Sequence, residues 1–339
     1  MNTSLFDYHL PKEKIAQHPA SKRDHSKLML VDKNAQQKPL DYMFYDLPKL
    51  LSKGDVLVIN NTKVIPARLF GKKRKTGAHI ELLLLNDIFE DTYQALTKPA
   101  KKIQIGDIID ITDTFRLTCI DILDDGIRTY ELSYEGVFIE QLEKVGKMPL
   151  PPYITAENDD ERYQTIYAKY HGSGEAATAG LHFTKAIFDN LKDKGIDIVE
   201  ITLHVGLGTF KPVMTNNILD HHMHEETYVI TKEAAATLNE AKRAKKRIIA
   251  VGTTSLRALE SNINQNLFKD GTFETSIFIY PGYSFKAING LITNFHLPKS
   301  TLLMLVSALT ERTYMLSCYE YAVLNDYRFF SFGDAMLII

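Results

Sequence analysis

Two histidines flank the stretch of the chain that is richest in residues suited to chemistry. His182 stands in Thr178-Ala-Gly-Leu-His-Phe-Thr184, and His204 opens His204-Val-Gly-Leu-Gly-Thr-Phe-Lys-Pro-Val213. Neutral imidazole accepts a proton near neutral pH, so either histidine is a candidate general base, although a lone histidine is more often structural. The two glycines after His204 leave the backbone bare enough for a polar ligand to approach.

The elements around these histidines are predicted to be a helix followed by a strand. Thr184 is a suitable N-cap for a helix through Leu191, and Gly195 is well placed to end it. The β-branched run over residues 196–205 then predicts a buried strand. His204 is therefore expected at the carboxyl end of a strand, where open α/β sheets bind their ligands.

The same alternation of helices and strands is predicted toward the carboxyl end. A helix capped by Thr231 leads to a strand over 247–251, and Gly252-Thr253-Thr254 precedes a helix that carries Arg257. Arg257 either pairs with Glu260 at i, i+3 or clamps a carboxylate or phosphate near the helix start. A further strand is predicted over 277–280, and one more near the last residues. The segment over 287–295 leads to residues 296–300 and an apolar helix from residue 301.

Between residues 68 and 146 the pattern changes to short β-rich runs separated by Gly, Asp and Lys turns. Their roughly 10-residue spacing is typical of a small antiparallel sandwich or barrel. The Pro-rich segment over 148–153 is a natural linker out of this module. We therefore predict an α/β catalytic domain formed by residues 1–67 and 147–339, interrupted by an inserted β-barrel domain at 68–146.

Composition limits the partners of this chain of 339 residues. Lys plus Arg (40) nearly balances Asp plus Glu (42), so a nucleic-acid partner requires a local basic patch such as 72–75, 98–102 or 242–247. By default such runs are solvated faces. The two isolated cysteines fit a reducing compartment, and neither a signal pattern nor a membrane-spanning apolar run is present. We expect a cytoplasmic monomer without a membrane partner.

Three other motifs have simpler interpretations. A dinucleotide fingerprint is incomplete, because the third glycine of G-x-G-x-x-G falls on Lys211. The cluster over 221–226, with three histidines and two glutamates, lacks the His spacing of a zinc-binding helix, so no metal site is predicted. Asn61 and Thr62 follow a predicted strand and suit either a ligand contact or a plain turn.

Six motifs in order resemble the S-adenosylmethionine:tRNA ribosyltransferase-isomerase family of queuosine biosynthesis, and residues 1–67 match as well. The motifs are Thr178-Ala-Gly-Leu-His-Phe-Thr184, His204-Val-Gly-Leu-Gly-Thr-Phe-Lys-Pro-Val213, Val251-Gly-Thr-Thr-Ser-Leu-Arg257, Tyr280-Pro-Gly-Tyr283, Leu291-Ile-Thr-Asn-Phe-His-Leu-Pro-Lys-Ser-Thr301 and Tyr327-Arg-Phe-Phe-Ser-Phe-Gly-Asp-Ala-Met336. One departure is that Glu175-Ala176-Ala177 stands where the family has Ala-Ala-Pro. This places an additional carboxylate beside the expected site.

The resemblance implies an α/β domain interrupted by a β-barrel, and a specific reaction. The ribosyl part of S-adenosylmethionine is transferred to 7-aminomethyl-7-deazaguanine at the wobble position of tRNA and isomerised, forming epoxyqueuosine and releasing adenine and methionine. S-adenosylmethionine is consumed as a co-substrate, so no cofactor or metal is expected. The sulfonium acidifies the adjacent sugar carbon, so a neutral imidazole is suited to remove its proton.

The resemblance also implies roles for individual residues. His204 and then His182 are the candidate bases, and the methionine carboxylate is expected on Arg257 or Lys299. Tyr283, Phe210 or Phe295 is expected to face the sulfonium. We assign substrate contacts to Asn61, Thr62, Arg68, Gly180, Gly206, Gly208, Thr209, Phe210, Thr253, Thr254, Tyr283, Asn294, His296 and Lys299.

Two other classes of protein remain possible from the residues. One is an S-adenosylmethionine-dependent RNA methyltransferase, and the other is a tRNA-binding protein without catalytic activity. The products separate them, because a methyltransferase releases S-adenosylhomocysteine, the ribosyl transfer releases adenine and methionine, and a binding protein releases nothing.

Overall fold

The computed structural model describes residues 1–34, 37–89, 91–156, 160–206 and 215–339. The strands in these ranges are β1 (Lys27–Val31), β2 (Leu40–Met43), β3 (Val56–Asn60), β4 (Thr62–Val64), β5 (Arg68–Lys73), β6 (His79–Phe89), β7 (Thr92–Lys98), β8 (Ile108–Asp110), β9 (Arg116–Ile122), β10 (Ile127–Ser133), β11 (Tyr170–Ser173), β12 (Asp197–Leu203), β13 (Glu226–Ile230), β14 (Ile248–Val251), β15 (Gly271–Thr275), β16 (Gly290–Asn294) and β17 (Ala335–Ile338). The α-helices are α1 (Leu47–Leu50), α2 (Phe138–Val145), α3 (Lys185–Asp193), α4 (Lys232–Arg243), α5 (Gly252–Asn262), α6 (Thr301–Ala308) and α7 (Arg312–Leu324).

Nine of the described strands form one mixed sheet, in the order β15-β13-β12-β3-β14-β16-β17-β1-β2. Its centre, β12-β3-β14-β16, is parallel. Alternate residues of a strand point to opposite faces, so Val56 and Val58 pack in one core while Leu57 and Ile59 pack in the other. Helices α4 to α7 supply side chains to the first core, and α1 and α3 to the second. The sheet is therefore covered on both faces, as buried parallel strands require.

The inserted module is a closed antiparallel barrel in the order β10-β7-β6-β5-β8-β9, with β9 pairing back to β10. Its interior is an apolar core of its own, to which α2 contributes Leu142. Arg68 and Lys147 exchange two backbone hydrogen bonds of 3.1 and 2.8 Å where the chain enters and leaves the barrel. The predicted fold class, an α/β domain with an inserted β-barrel, is confirmed. The domain boundaries at 68 and 146 stay a prediction.

Local signals predicted the helix starts well. The hydroxyl of Thr184 accepts from the amide of Ile187 at 3.3 Å at the start of α3, and Thr231 caps α4 in the same way. The helix after β14 begins at Gly252, so Thr253 and Thr254 lie in its first turn instead of preceding it. In the described parts of the chain, no helix is both long and apolar enough to cross a membrane.

One predicted strand is wrong. Residues 277–280 are not a strand, and β15 at Gly271–Thr275 instead supplies the ladder that pairs with β13. The side chains of Ile277, Phe278 and Tyr280 pack against the larger core, so this apolar run is buried without strand pairing. A short apolar run predicts burial, and only the availability of a neighbouring backbone decides whether it becomes a strand.

Candidate active site

An open cavity of about 1020 Å³ lies at the carboxyl ends of the central parallel strands. Val205 after β12, Thr253 and Thr254 after β14, and Asn294 and His296 at the end of β16 form part of its wall. The position is the one at which open α/β sheets bind ligands. The sequence-based expectation for the location of the ligand site therefore corresponds to an actual cavity.

The order of the strands explains why a crevice forms there. Between β3 and β12 the chain passes through the barrel and then α3, which packs on one face of the sheet. After β12 and β13 it returns to the other side of β3, to β14, through α4, which packs on the opposite face. Connections that leave a strand in opposite directions cannot cover the gap above its carboxyl end. The loops after β12 and β14 consequently face each other across the cavity.

Arg257 and Glu226 form a buried ion pair in the cavity wall. Arg257 projects from α5 and donates through Nη1 to Oε2 of Glu226, the first residue of β13, while its Nε donates to the carbonyl of Ile277 at 3.3 Å. The side chains are only 4% and 1% exposed. Arg257 does not pair with Glu260, whose carboxylate instead accepts from Tyr283 and from three backbone amides between residues 286 and 288.

Several buried polar atoms around the cavity are not satisfied by the described residues. Nη2 of Arg257, Oε1 of Glu226 and Oδ1 of Asn294 have no hydrogen-bond partner there, although each residue lines the cavity. Burial raises the pKa of the Glu226 carboxyl, against the opposing effect of Arg257. Buried polar groups in folded proteins are nearly always paired, so atoms of this kind at a cavity indicate positions where a ligand bonds.

His182 lies behind the cavity wall in an enclosed environment. Its Nε2 accepts from the side-chain amide of Asn294 at 3.2 Å, so Nδ1 carries the proton and donates to the hydroxyl of Ser26 at 2.8 Å. Its ring stacks on Phe44. Burial, with Arg328 nearby, lowers the pKa of His182 to about 3. His182 is therefore neutral and orients Asn294, which reaches the cavity.

His296 is the predicted histidine that lines the cavity directly. Its ring is buried and bonds through Nε2 to the hydroxyl of Thr293 at 2.9 Å. Burial lowers the pKa of His296 to about 3. Its backbone carbonyl also accepts from the Tyr8 hydroxyl at 2.6 Å, so its position is tied to the amino-terminal segment.

His204 follows β12 as predicted, but Val205, and not His204, forms the adjacent wall. Its Nδ1 bonds to the hydroxyl of Thr62 at 2.8 Å, and its half-buried ring lies against Gly172 of β11, where a Cβ atom would come within 3.0 Å of the ring. Burial lowers the pKa of the His204 imidazole. Its Nε2 has no hydrogen-bond partner in the described ranges.

Several other predicted contact residues lie away from this cavity and have partners of their own. Gly180 faces Tyr167, Asn61 bonds to Glu200 and Thr202, Arg68 donates to Leu150, Tyr283 donates to Glu260 and Lys299 pairs with Asp7 at 2.8 Å. Phe295 contributes to the wall, but its ring packs on three buried aromatic side chains. Gly206 ends a described segment, and Gly208, Thr209 and Phe210 lie outside the described residues.

Other cavity residues lie outside the predicted substrate contacts, although the sequence placed Glu175 beside the expected site. Tyr153 and Ser331 bond to each other at 2.6 Å in the wall, and Glu175 lies beside them. His221, His224 and Glu226, considered above as metal ligands, also line the cavity. Within the described residues, no group of three or more His, Cys, Asp or Glu side chains is placed to hold a metal ion. Residues that cluster in the sequence over 221–226 therefore also share one cavity wall.

Comparison with known proteins identifies the family. The family model described as "Queuosine biosynthesis protein" matches residues 3–338. The chain belongs to this family. The resemblance carried by the six motifs is thereby confirmed, because the match spans both the α/β domain and the barrel.

Two full-length relatives share one name, and a solved structure has a similar title. Proteins of Finegoldia magna and Desulfitobacterium hafniense, each named S-adenosylmethionine:tRNA ribosyltransferase-isomerase, are 51% identical to this chain. The alignments cover all of this chain and 98% and 100% of those proteins. A crystal structure titled S-adenosylmethionine tRNA ribosyltransferase, from Thermotoga maritima, matches 99% of this chain and 100% of that chain with a TM-score of 0.58 and 36% identity.

Proposed function

We propose that the protein is an S-adenosylmethionine:tRNA ribosyltransferase-isomerase. It transfers and isomerises the ribosyl moiety of S-adenosylmethionine onto 7-aminomethyl-7-deazaguanine at the tRNA wobble position, which yields epoxyqueuosine, adenine and methionine. The observation that carries this proposal is the 51% identity, over the full length of both chains, to relatives with that name. The cavity at the sheet edge supports it, because apolar side chains, threonine hydroxyls and a buried ion pair line it together, and a nucleoside with an amino-acid side chain offers groups that match each of these.

Proton removal beside the sulfonium requires a neutral base, and His204 is the leading candidate. Burial lowers its pKa, so the imidazole is unprotonated at neutral pH. The Thr62 hydroxyl occupies Nδ1, which leaves Nε2 as the atom that takes the proton. His182 and His296 are also neutral, but both ring positions of His182 are bonded. His296, like His204, has one position held by a threonine hydroxyl, but burial lowers its pKa to about 3, which makes it a weak base.

Departure of adenine is favoured by donors aimed at its ring. The hydroxyls of Thr253 and Thr254 lie in the first turn of α5, where the backbone amides also point toward the cavity. We assign this part of the wall to stabilising charge that develops on the leaving group. Oδ1 of Asn294, held in place through its amide by His182, is placed to accept from a substrate hydroxyl or amino group.

The tRNA is proposed to dock on the outer face of β5 in the barrel. Arg68, Phe70 and Lys72 alternate along this strand and share its outward face, and Phe70 is 48% exposed. The Lys147 ammonium lies 5.6 Å from the centre of the Phe70 ring. An exposed aromatic ring between cations binds single-stranded nucleic acid through base stacking and phosphate contacts. Arg68, which also pairs with Glu81 at 3.6 Å, donates to the carbonyl of Leu150 and so ties this strand to the segment that leads to Tyr153 at the cavity.

The basic run over 242–247 is a weaker candidate, because three of its five cations are paired with carboxylates. Arg243 pairs with Glu240 at 2.9 Å, Lys246 with Asp197 at 3.1 Å and Arg247 with Asp55 at 2.6 Å. The first pair lies within α4, whereas Lys246 and Arg247 hold the turn between α4 and β14 to the start of β12 and to the residue before β3. A phosphate must compete with a carboxylate at each of these positions.

The products of the reaction test the proposed function. The protein is incubated with S-adenosylmethionine labelled in the ribose and tRNA that carries 7-aminomethyl-7-deazaguanine, and the products are separated by chromatography. We expect the label in the tRNA, with one adenine and one methionine released for each ribosyl group transferred. Unmodified tRNA serves as the control and should remain unlabelled. Release of S-adenosylhomocysteine would instead identify a methyltransferase, and the absence of products would identify a binding protein.

A further inference from the structure

The Arg257–Glu226 pair has the features of a ligand site and not only those of a structural ion pair. Both side chains are almost fully buried, both line the cavity, and each keeps one polar atom without a partner among the described residues. Removing one partner of a buried ion pair is strongly unfavourable, whereas a paired charge with an open hydrogen-bonding position can bind a complementary group. The open positions are a donor, Nη2 of Arg257, and an acceptor, Oε1 of Glu226.

We infer that this pair binds the amino-acid end of S-adenosylmethionine, with Arg257 Nη2 donating to the α-carboxylate and Glu226 Oε1 accepting from the α-ammonium. The inference rests on the proposed function, and it adds Glu226 to the residues that recognise the substrate. A donor and an acceptor side by side match a zwitterion, whose two charged groups are separated by a single carbon atom.

Charge balance favours a zwitterion over a simple anion. The ion pair is neutral as a unit, so a bound phosphate or acetate would leave an uncompensated negative charge in a buried place. An α-amino acid adds one charge of each sign and keeps the site neutral.

Lys299, the other candidate partner for the carboxylate, is poorly placed to bind it. It is exposed, it does not line the cavity, and its ammonium is already paired with Asp7 at 2.8 Å. An exposed pair of this kind is screened by solvent and contributes little to binding. The carboxylate position therefore belongs to Arg257.

Binding of three ligands tests this inference by isothermal titration calorimetry. The ligands are S-adenosylmethionine, its decarboxylated form and a form that lacks the α-amino group, and the proteins are the wild type, Arg257→Met and Glu226→Gln. For the wild type we expect each truncated ligand to bind about 10- to 100-fold more weakly than S-adenosylmethionine, as for the loss of a hydrogen bond to a charged group. Arg257→Met should bind S-adenosylmethionine and the decarboxylated form equally, within about twofold.

Glu226→Gln should lose only the discrimination against the form without the amino group. Arg247→Met is the matched control, because Arg247 also pairs with a buried carboxylate, Asp55, but lies away from the cavity. Arg247→Met should bind each truncated ligand more weakly than S-adenosylmethionine by the same factor as the wild type. A general loss of stability lowers the affinity for all three ligands together and leaves their ratios unchanged, so the ratios separate recognition from folding.

Two results overturn the inference. One is a wild type that binds the truncated ligands as tightly as S-adenosylmethionine, and the other is a folded Arg257→Met protein that keeps the wild-type preference for the carboxylate. If Arg257→Met does not fold, the inference is tested by the affinities of the wild type for the three ligands and by the loss of amino-group discrimination in Glu226→Gln. Adenine release by the wild type separates this inference from the proposed function. If the inference fails but adenine is released, the proposed function stands. If the wild type neither binds S-adenosylmethionine nor releases adenine, the function itself is contradicted.

Discussion

The cavity and the outer face of the barrel strand β5 present charge in opposite ways. In the cavity, Arg257 and Glu226 are buried, paired and left with one open hydrogen-bonding position each. On β5, Lys72 is exposed and Phe70 lies open between cations. Buried, prearranged charges select one ligand geometry, whereas exposed cations attract any polyanion and are screened by salt. The first region is suited to a small zwitterionic substrate and the second to an RNA chain.

Amino-acid composition alone does not distinguish such surfaces. The runs over 72–75 and 242–247 are similarly basic, yet the three cations Arg243, Lys246 and Arg247 of the second run are paired with carboxylates. In the first run Lys73 and Arg74 are also paired, and Lys72 is the exposed cation beside Phe70. Each of the following experiments either separates the two regions further or shows that the distinction is wrong.

The largest effect is expected from His204→Ala. Loss of a general base typically lowers turnover about 10²- to 10⁴-fold, while binding of S-adenosylmethionine and tRNA should remain near the wild-type level. Steady-state kinetics and titration calorimetry measure the two effects. His182→Ala is the comparison, and it should raise the Michaelis constant more than it lowers turnover, because His182 positions Asn294. More than about a tenth of wild-type turnover in His204→Ala excludes it as the base.

The pH dependence of turnover follows from the same residue. Burial lowers the pKa of His204 below its ordinary value of 6.5, so the base stays neutral through neutral pH and is protonated only on further acidification. We expect kcat/KM for S-adenosylmethionine to fall on the acid side with a midpoint below pH 6.5. A midpoint above this value would show that a different group, with a raised pKa, controls the reaction.

The burial of two other histidines predicts a strong dependence of stability on pH. The pKa values of His182 and His296 are each about 3 in the folded protein, against about 6.5 when unfolded. Below pH 6.5 the unfolded chain binds two protons that the folded protein does not, so the free energy of unfolding decreases by ~2.7 kcal/mol per pH unit. Urea unfolding between pH 6.5 and 5 measures the slope. His182→Asn should reduce it by about half, and an unchanged stability across this range contradicts the buried neutral state.

On the barrel face, Phe70→Ala should weaken tRNA binding without changing its dependence on salt. Stacking of a base on an aromatic ring contributes ~1–3 kcal/mol, so the dissociation constant should rise roughly 5- to 150-fold. Phe70→Tyr retains the ring and should restore binding. Because Phe70 is 48% exposed, folding should be little affected, which a thermal melt checks. Unchanged affinity in Phe70→Ala would remove the barrel face as a stacking surface.

The smallest effect is expected from single lysines. Lys72→Gln should flatten the slope of log K against log salt concentration by about 0.7 to 0.9, the value for one lost phosphate contact. Lys246→Gln is the matched control, since Lys246 is paired with Asp197 at 3.1 Å, and its slope should equal that of the wild type. Filter binding of tRNA at several salt concentrations measures both. Equal slopes for the two variants would mean that the structure does not separate the two basic runs.

Local sequence features determined a large part of the architecture. The hydroxyls of Thr184 and Thr231 cap helices that begin one residue later, and the spaced β-rich runs after residue 68 form a closed barrel. Capping and strand alternation depend on residues within a few positions of one another, so the sequence displays them directly. The motif resemblance adds the family's architecture, an α/β domain interrupted by a β-barrel, to these signals.

Tertiary structure alone decided which side chains meet. Arg257 has Glu260 one turn away in its own helix, but it pairs with Glu226, 31 positions earlier, because β13 brings that carboxylate to the cavity wall. His204 was predicted from its place after a strand, yet its ring lies over Gly172 and Thr62 while Val205 forms the adjacent wall. Pairings of this kind depend on how distant elements pack, and spacing along the chain carries no information about them.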